Sequence, residues 1–384
     1  MSLNLRLNLA MESFAFALVL ALAFANGTND VSKAIATLVG SGVTDYRTAL
    51  AWGTIWTVLG AGLSAFIASA MVKTFSQGLL EAGATLPPAV GLSVLAGTIV
   101  WVLVASRTGL PVSTTHALTG AIVGAGLMAL GGNALLWPNI FKKIGLPLLL
   151  SPILALMVSL IVHPLIRVLA DRWEGACLCL MPASRALVTI DATGGTHTLF
   201  QTTALGTPVA AVPTRCDRAG LRGLTVGLDS IHWVSSGLTS LARGTNDSPK
   251  IAAMLVLGSA ATWPGPILQT LAFAGVAVAM GLGSYWGGRR VTEVLAENVT
   301  RMDHTEGLSA NLTTSSLVFA AALLGLPVST THVSSSSIIG IGLLKGRQSV
   351  HWTTVRDMVL AWIVTLPAAA LLAALTFWSL HRLP

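Results

Sequence analysis

Residues 24–42 read FANGTNDVSKAIATLVGSG, and residues 241–259 read LARGTNDSPKIAAMLVLGS. Each sets an amide, a carboxylate and an ammonium inside an otherwise apolar run. They are Asn29, Asp30 and Lys33 in the first stretch and Asn246, Asp247 and Lys250 in the second. The run before the first set, Ser13–Asn29, carries no charge. Ionisable groups at membrane depth are costly and mark a functional site by default.

A second motif is duplicated in step with the first. GLPVSTTH occurs at 109–116 and again at 325–332. Gly27 and Gly244 lie 217 positions apart, and Gly109 and Gly325 lie 216 apart. Two motifs displaced by nearly one distance mean that a whole unit was duplicated. Each unit runs through a GTND helix, a long helix, a GLPVSTTH segment and a closing helix.

Composition sets the class. The chain has 384 residues, of which 53% are hydrophobic and 10% charged, with a mean hydropathy of +0.76. Soluble domains are about 25% charged. The uncharged stretches Thr48–Val72, Ala82–Ser106, Thr108–Phe141, Ile251–Gly288, Gly307–Leu344 and Met358–Leu380 each exceed the roughly 20 residues a spanning helix needs. None alternates with period two, as barrel strands do. The expected fold is an all-α polytopic membrane protein. Trp52, Trp101, Trp137, Trp352 and Trp378 near segment ends suit interfacial belts. The formal charge of +7 comes from Lys and Arg scattered without a basic block, so nucleic acid is excluded as a partner. The first apolar run holds the polar motif and lacks a cleavage site, so it is not a removed signal.

The units divide as 1–170 and 226–384 around a polar insert, 171–225, expected outside the membrane with a β-hairpin near 186–203. Gly194–Gly195 and Pro213 supply its turn signals, and its five Arg favour the cytoplasmic side. Cys177, Cys179 and Cys216 all fall in this insert. Their odd number gives no disulfide framework, and no metal site is expected. Thr108–Phe141 and Gly307–Leu344 are too long for one helix and hold Pro and Gly, so a re-entrant hairpin is expected in each. With broken helices, this favours two inverted repeats.

Gly27 and Gly244 are expected to let the chain leave helical geometry. Pro249 suits the first turn of a new helix with Ser248 as its cap. Carbonyls and carboxylates at such a break hold a cation, while helix N-termini face an anion. The alternative is that Asn and Asp merely cap a kink. In GLPVSTTH, Pro111 and Pro327 start a new helix. Ser113, Thr114 and Thr115, with Ser329, Thr330 and Thr331, then offer hydroxyls and free N–H groups to a tetrahedral oxyanion. Alternatively they bond back to carbonyls in helix packing. His116 and His332 are either proton carriers or packing residues, and His163 is read as structural.

With GTND and GLPVSTTH each present twice, the chain resembles the inorganic phosphate transporter (PiT) family, usually written with a G-[AS]-N-D core. The resemblance covers both membrane halves. It implies a secondary transporter of inverted repeats that carries phosphate with Na⁺ or H⁺, and some relatives carry sulfate. It places Asn29, Asp30, Asn246 and Asp247 on the cation side and the six hydroxyl residues on the anion. We expect a multi-pass protein of the bacterial inner membrane, in contact with lipid, forming a homo-oligomer (a dimer) and needing no cofactor beyond its coupling ion.

The chain departs from that pattern at Lys33 and Lys250, where sodium-coupled relatives resemble D-x-x-N. Each Lys lies three residues after its Asp, on the same helix face. The ammoniums either stand in for sodium, making transport sodium-independent or proton-coupled, or simply neutralise the carboxylates. Arg243 replaces Asn26 in the second copy. It either approaches the anion site or snorkels to the interface. An intramembrane hydrolase built on Ser113, His116 and Asp30 is rejected, because there is no G-x-S-x-G elbow and no need for two copies. Asp30 and Asp247 can accept a proton from phosphate, which favours phosphate over sulfate unless both are occupied in ion pairs with Lys33 and Lys250, in which case sulfate gains.

Overall fold

The computed structural model describes residues 3–67, 69–79, 87–173, 177–181, 184–190, 196–202, 207–211, 225–259 and 266–382. Its first half runs α1 (Leu3–Asp30), α2 (Ser32–Gly40), α3 (Tyr46–Ile67), α4 (Ser69–Gln77), α5 (Pro88–Thr108) and α6 (Thr114–Leu130). A π-helical stretch, Ile140–Gly145, then leads into α7 (Leu146–Trp173). The second half repeats this order as α8 (Leu228–Ser259), α9 (Pro266–Trp286), α10 (Arg289–Glu297), α11 (His304–Leu323), α12 (Thr330–Leu344) and α13 (Trp352–His381). Thus α8 matches α1 with α2, and α9 to α13 match α3 to α7 in turn.

Among the described residues, Ala10–Gly40, Tyr46–Ile67, Pro88–Thr108, Trp137–Arg172 and Trp352–His381 are each long and apolar enough to cross a bilayer. Gln269–Trp286 and Arg289–Glu297 form a further candidate bent by 67°. Leu149, Ile153, Ile161 and Leu165 on α7, and Ile363 and Leu371 on α13, are exposed. With these exposed apolar faces and candidate spans, the chain is an integral multi-pass membrane protein whose membrane part is all-α.

Lipid gives helices no hydrophobic reason to associate, so close packing at small residues holds them together. A Cβ on Gly27 would press into the carbonyl of Met280 and lie 2.7 Å from Ser284 N on α9. A Cβ on Gly244 would press into the carbonyl of Thr57 and lie 2.8 Å from Ala61 N on α3. The two contacts are the same contact repeated. Met280 follows Thr57, and Ser284 follows Ala61, by 223 positions each. Each half therefore lends a helix to the other: α1 packs on α9 and α8 on α3, while α6 packs on α13 and α12 on α7.

The GTND glycines thus differ from expectation. Both sit inside helices, and their job is close approach rather than a break in the chain. The first helix is interrupted only at Val31, between α1 and α2. The second runs unbroken through Pro249, so Ser248 caps nothing and its hydroxyl has no partner among the described residues. The sharp breaks fall instead at GLPVS, between α5 and α6 and between α11 and α12. Gly307–Leu344 does fold as a helical hairpin, α11 with α12. In the first half the hairpin partner of α6 is α5, upstream of Thr108–Phe141.

Within the insert, β1 (Cys177–Met181), β2 (Ser184–Ile190), β3 (Thr196–Thr202), β4 (Thr207–Ala211) and β5 (Thr225–Val226) are described. β2 and β3 form an antiparallel hairpin with Ala186 opposite Phe200, at the expected place. β1 pairs antiparallel with both β4 and β5. Gly194–Gly195, Pro213 and Cys216 lie outside the described residues.

Candidate functional site

The GLPVSTTH segments make two helix tips. Gly109 and Gly325 take positive φ, +82° and +68°, and end α5 and α11 in the left-handed turn that favours glycine. After the prolines, α6 and α12 start at Thr114 and Thr330. Ser113 Oγ accepts from His116 N at 3.3 Å and Ser329 Oγ from His332 N at 3.1 Å. Both serine hydroxyls are therefore used as N-caps. Each oxygen accepts there, which leaves its own O–H free to donate.

The tips face each other. Thr331 donates to Val112 O at 2.7 Å and Thr115 to Val328 O at 3.5 Å. The His116 and His332 rings lie 4.6 Å apart, and His332 also meets the Trp362 ring at 4.2 Å. His332 Nδ1 lies 3.3 Å from Leu148 O. His163 pairs with Ser309 Oγ at 3.1 Å, away from the tips, as a structural residue would.

Against these tips lie the two GTND segments, and each lysine sits in a set of oxygens. Lys33 Nζ donates to Asp30, to Asn29 Oδ1 at 2.9 Å and to Val112 O at 3.3 Å. Lys250 Nζ donates to Asp247 Oδ1 at 3.2 Å, Val328 O at 3.1 Å and Thr115 Oγ1 at 2.8 Å. Asn29 Nδ2 reaches Leu110 O at 3.1 Å, and Asn246 Nδ2 reaches Val328 O at 3.1 Å and Asp247 at 2.9 Å. Thr330 lies 3.5 Å from Asp30 Oδ2. Asp30, Asp247, Lys33 and Lys250 are all buried.

Asn26 joins the halves. Its Nδ2 lies 3.1 Å from Asp30 Oδ2, 3.3 Å from Asp247 Oδ2 and 3.0 Å from Thr114 Oγ1. One amide thus touches both motif carboxylates and one helix tip. Sequence reasoning noted Asn26 only as the counterpart of Arg243. The signal was present, since it directly precedes GTND in an uncharged run. Arg243 is also inside. It is 1% exposed, so it does not snorkel. Burial holds it between α3, α8 and α9, where Nη2 donates to Thr57 Oγ1 and to Ser284 Oγ. Its Nε and Nη1 have no partner among the described residues.

The structure therefore brings Asn29, Asp30, Lys33, Asn246, Asp247, Lys250, Thr114, Thr115, Thr330 and Thr331 into one buried compartment. Two carboxylates face two ammoniums there, and Arg243 is buried nearby on α8. Among the described residues no cluster of three or more His, Cys, Asp or Glu could hold a metal ion.

A duplicated helical membrane protein with a charged compartment at the meeting point of its halves has the architecture of a membrane transporter. The phosphate transporter family model matches residues 26–373. The chain belongs to that family, whose members are transporters rather than enzymes. It is 29% identical to a probable low-affinity inorganic phosphate transporter of Mycobacterium bovis, covering 93% of this chain and 75% of that protein. It is 29% identical to a putative phosphate permease of Pyrococcus abyssi, covering 92% of this chain and 94% of that one. A probable low-affinity inorganic phosphate transporter of Rhizobium meliloti is 28% identical over 93% and 92% of the two chains. A solved structure described as the sodium-dependent phosphate transporter shares the fold. Its TM-score is 0.76 at 21% identity, over 98% of this chain and all of that one.

Proposed function

We propose that the chain carries inorganic phosphate across the bacterial inner membrane by a sodium-independent route. One observation supports this most: in both halves an ammonium fills the set of oxygens that a coupling cation would need. Around Lys33 these are Asn29 Oδ1, the Asp30 carboxylate and Val112 O. Around Lys250 they are the Asp247 carboxylate, Thr115 Oγ1 and Val328 O. Carbonyls and carboxylates at helix breaks are the ligands transporters use for Na⁺. Here a tethered charge takes that place, and protons or the anion gradient drive transport.

The anion binds where α6 and α12 meet tip to tip, an arrangement that fits inverted repeats. The first-turn N–H groups there lack intrahelical partners. Thr114 and Thr330 supply hydroxyls, and Arg243 has two nitrogens, Nε and Nη1, with no partner among the described residues. Asp30 and Asp247 are each engaged by a lysine, which weakens their value as acceptors for phosphate's own proton, so the choice of phosphate over sulfate rests on the family and its relatives. The test is uptake of labelled phosphate into proteoliposomes with external Na⁺ replaced by choline. Uptake is expected to continue at an unchanged rate and to resist competition by sulfate. Strict dependence on Na⁺ overturns the cation-replacement reading.

A further inference from the structure

The two halves are alike at the compartment and unlike on either side of it. On α8, His232, Ser236 and Ser240 recur every four residues and share a face with Asp247. At 1.5 Å per residue, this face runs about 22 Å from Asp247 to His232. In the first half the matching positions, each 217 earlier, are Ala15, Val19 and Ala23. The neighbouring helices differ in the same sense. Thr37 of α2 is matched by Met254, and Asn311 of α11 by Leu95. Val19, Ala23, Leu95 and Met254 lie together in one apolar cluster.

The polar side does not satisfy itself. Both ring nitrogens of His232, Thr37 Oγ1, Ser240 Oγ and Asn311 Nδ2 have no partner among the described residues. Each of these residues is at most 1% exposed. Leaving a buried donor or acceptor unpaired costs about 1–3 kcal/mol, so several together need a reason beyond packing. His232 and Thr37 meet at Gly307 of α11, while Ser240 Oγ lies further along, where a Cβ on Gly53 of α3 would meet it at 3.3 Å. A Cβ on Gly307 of α11 would meet His232 Nε2 at 3.0 Å and Thr37 O at 3.2 Å. Ser236 donates to Ala34 O on α2 at 2.8 Å, and Thr239 to Asn311 O on α11 at 3.1 Å. Ser334 of α12 donates to Lys33 O at 3.0 Å, where the polar face joins the compartment. At the far end His304 Nδ1 lies 2.6 Å from Asp229 Oδ1, both exposed. The insert's β5 ends at Val226, two residues before α8 begins, so this end lies next to the insert.

We propose that the face formed by His232, Ser240, Thr37 and Asn311 is a hydrated half-passage through which phosphate reaches the Asp30–Asp247 compartment, with its apolar counterpart as the seal. This rests on the transport reading given above. The seal is written into the sequence, because the positions related by duplication are apolar there whatever the conformation. A polar lining exchanges its water partners for the oxyanion as it passes. The apolar side keeps ions out until the halves rearrange.

The test uses full-length protein carrying Cys177→Ser, Cys179→Ser and Cys216→Ser. Single substitutions Thr37→Cys, Ser240→Cys and Asn311→Cys are compared with Met254→Cys, Ala23→Cys and Leu95→Cys. A small anionic methanethiosulfonate is applied in detergent, with and without inorganic phosphate, and labelling is followed by mass. The first three are expected to label at least about tenfold faster than the others, and phosphate to slow them. Equal rates in the two sets, in protein that still takes up phosphate, overturn the passage and leave the transport reading standing. Fast labelling that phosphate leaves unchanged supports the passage and overturns phosphate as its occupant. Asn311→Leu gives an answer that needs no labelling. Removing an orphaned polar group is expected to leave thermal stability equal or higher, while uptake slows about tenfold or more. Lower stability with unchanged uptake identifies Asn311 as a packing residue and overturns the proposal.

Discussion

The pairing of Lys33 with Asp30 yields the most exposed prediction. Their side chains are 1% and 2% accessible, and the ammonium has no contact with solvent to fall back on. Lys33→Met keeps much of the side-chain volume and removes the charge, so Asp30 is left buried without its direct partner. Breaking a buried pair from one side costs about 3–5 kcal/mol. Removing both charges, with Asp30→Asn added, leaves no uncompensated ion and is expected to restore most of that loss, since such replacements are often near neutral. Denaturant titration of the purified protein in detergent reads both values. The functional arm uses Lys33→Asn, which opens the oxygen set and is expected to make phosphate uptake rise with Na⁺. A loss below about 1 kcal/mol for Lys33→Met is what an exposed pair would give. That result, with uptake still indifferent to Na⁺ in Lys33→Asn, refutes the reasoning.

Other outcomes follow from local geometry. Gly27→Ala and Gly244→Ala each force a Cβ into a neighbouring backbone and are expected to cost at least about 1–3 kcal/mol in thermal unfolding. Gly62→Ala, with open space at its Cβ, is expected to be neutral or stabilising by up to about 1 kcal/mol. Asp303→Ala breaks the capping box that starts α11, in which Asp303 accepts from Glu306 N at 2.7 Å, and should cost about 1 kcal/mol. Asp45 precedes α3, and its carboxyl lies below the usual carboxylate range because it accepts from the Thr48 hydroxyl and from the Thr48 and Arg47 amides. A depressed folded-state value stabilises the fold above the unfolded value and is lost as pH falls through the folded one. Asp45→Ala should therefore melt lower than the parent at neutral pH, and the difference should shrink in acid.

What the sequence carried and what it withheld divide along a physical line. Asp30, Asp247 and their lysines were legible because charge in an apolar run has few innocent explanations. A break at GLPVSTTH was legible because Pro cannot continue a helix, but each new helix starts three residues past its Pro, at Thr114 and Thr330, and not at Pro111 or Pro327. The role of Gly27 was not legible, since a close approach depends on a partner more than 250 residues away in the chain. The register of the repeat of α3 in α9 was hidden too. Its offset is 223 rather than 217, and no shared motif marks it. Val112 and Val328 contribute carbonyls to the lysines, and a backbone oxygen leaves no trace in residue type.

The residual asymmetry between the halves bears on how many anions the compartment takes. Asp30 with Lys33 and Asp247 with Lys250 cancel in each half, leaving Arg243 as the surplus charge. Its counterpart, Asn26, is neutral and already committed to both carboxylates and Thr114. A duplicated site with one surplus cation suits one anion shared by both tips rather than one held in each half. Arg243→Asn, which makes the halves alike, is expected to weaken phosphate binding by at least about tenfold, or 1.4 kcal/mol. Arg243→Lys keeps the charge and loses the planar fork, so it should fall between the two. Isothermal titration in detergent measures both affinity and stoichiometry. Two equivalents of phosphate per chain, or unchanged affinity in Arg243→Asn, would remove Arg243 from the site and return it to the packing of α3 against α8 and α9.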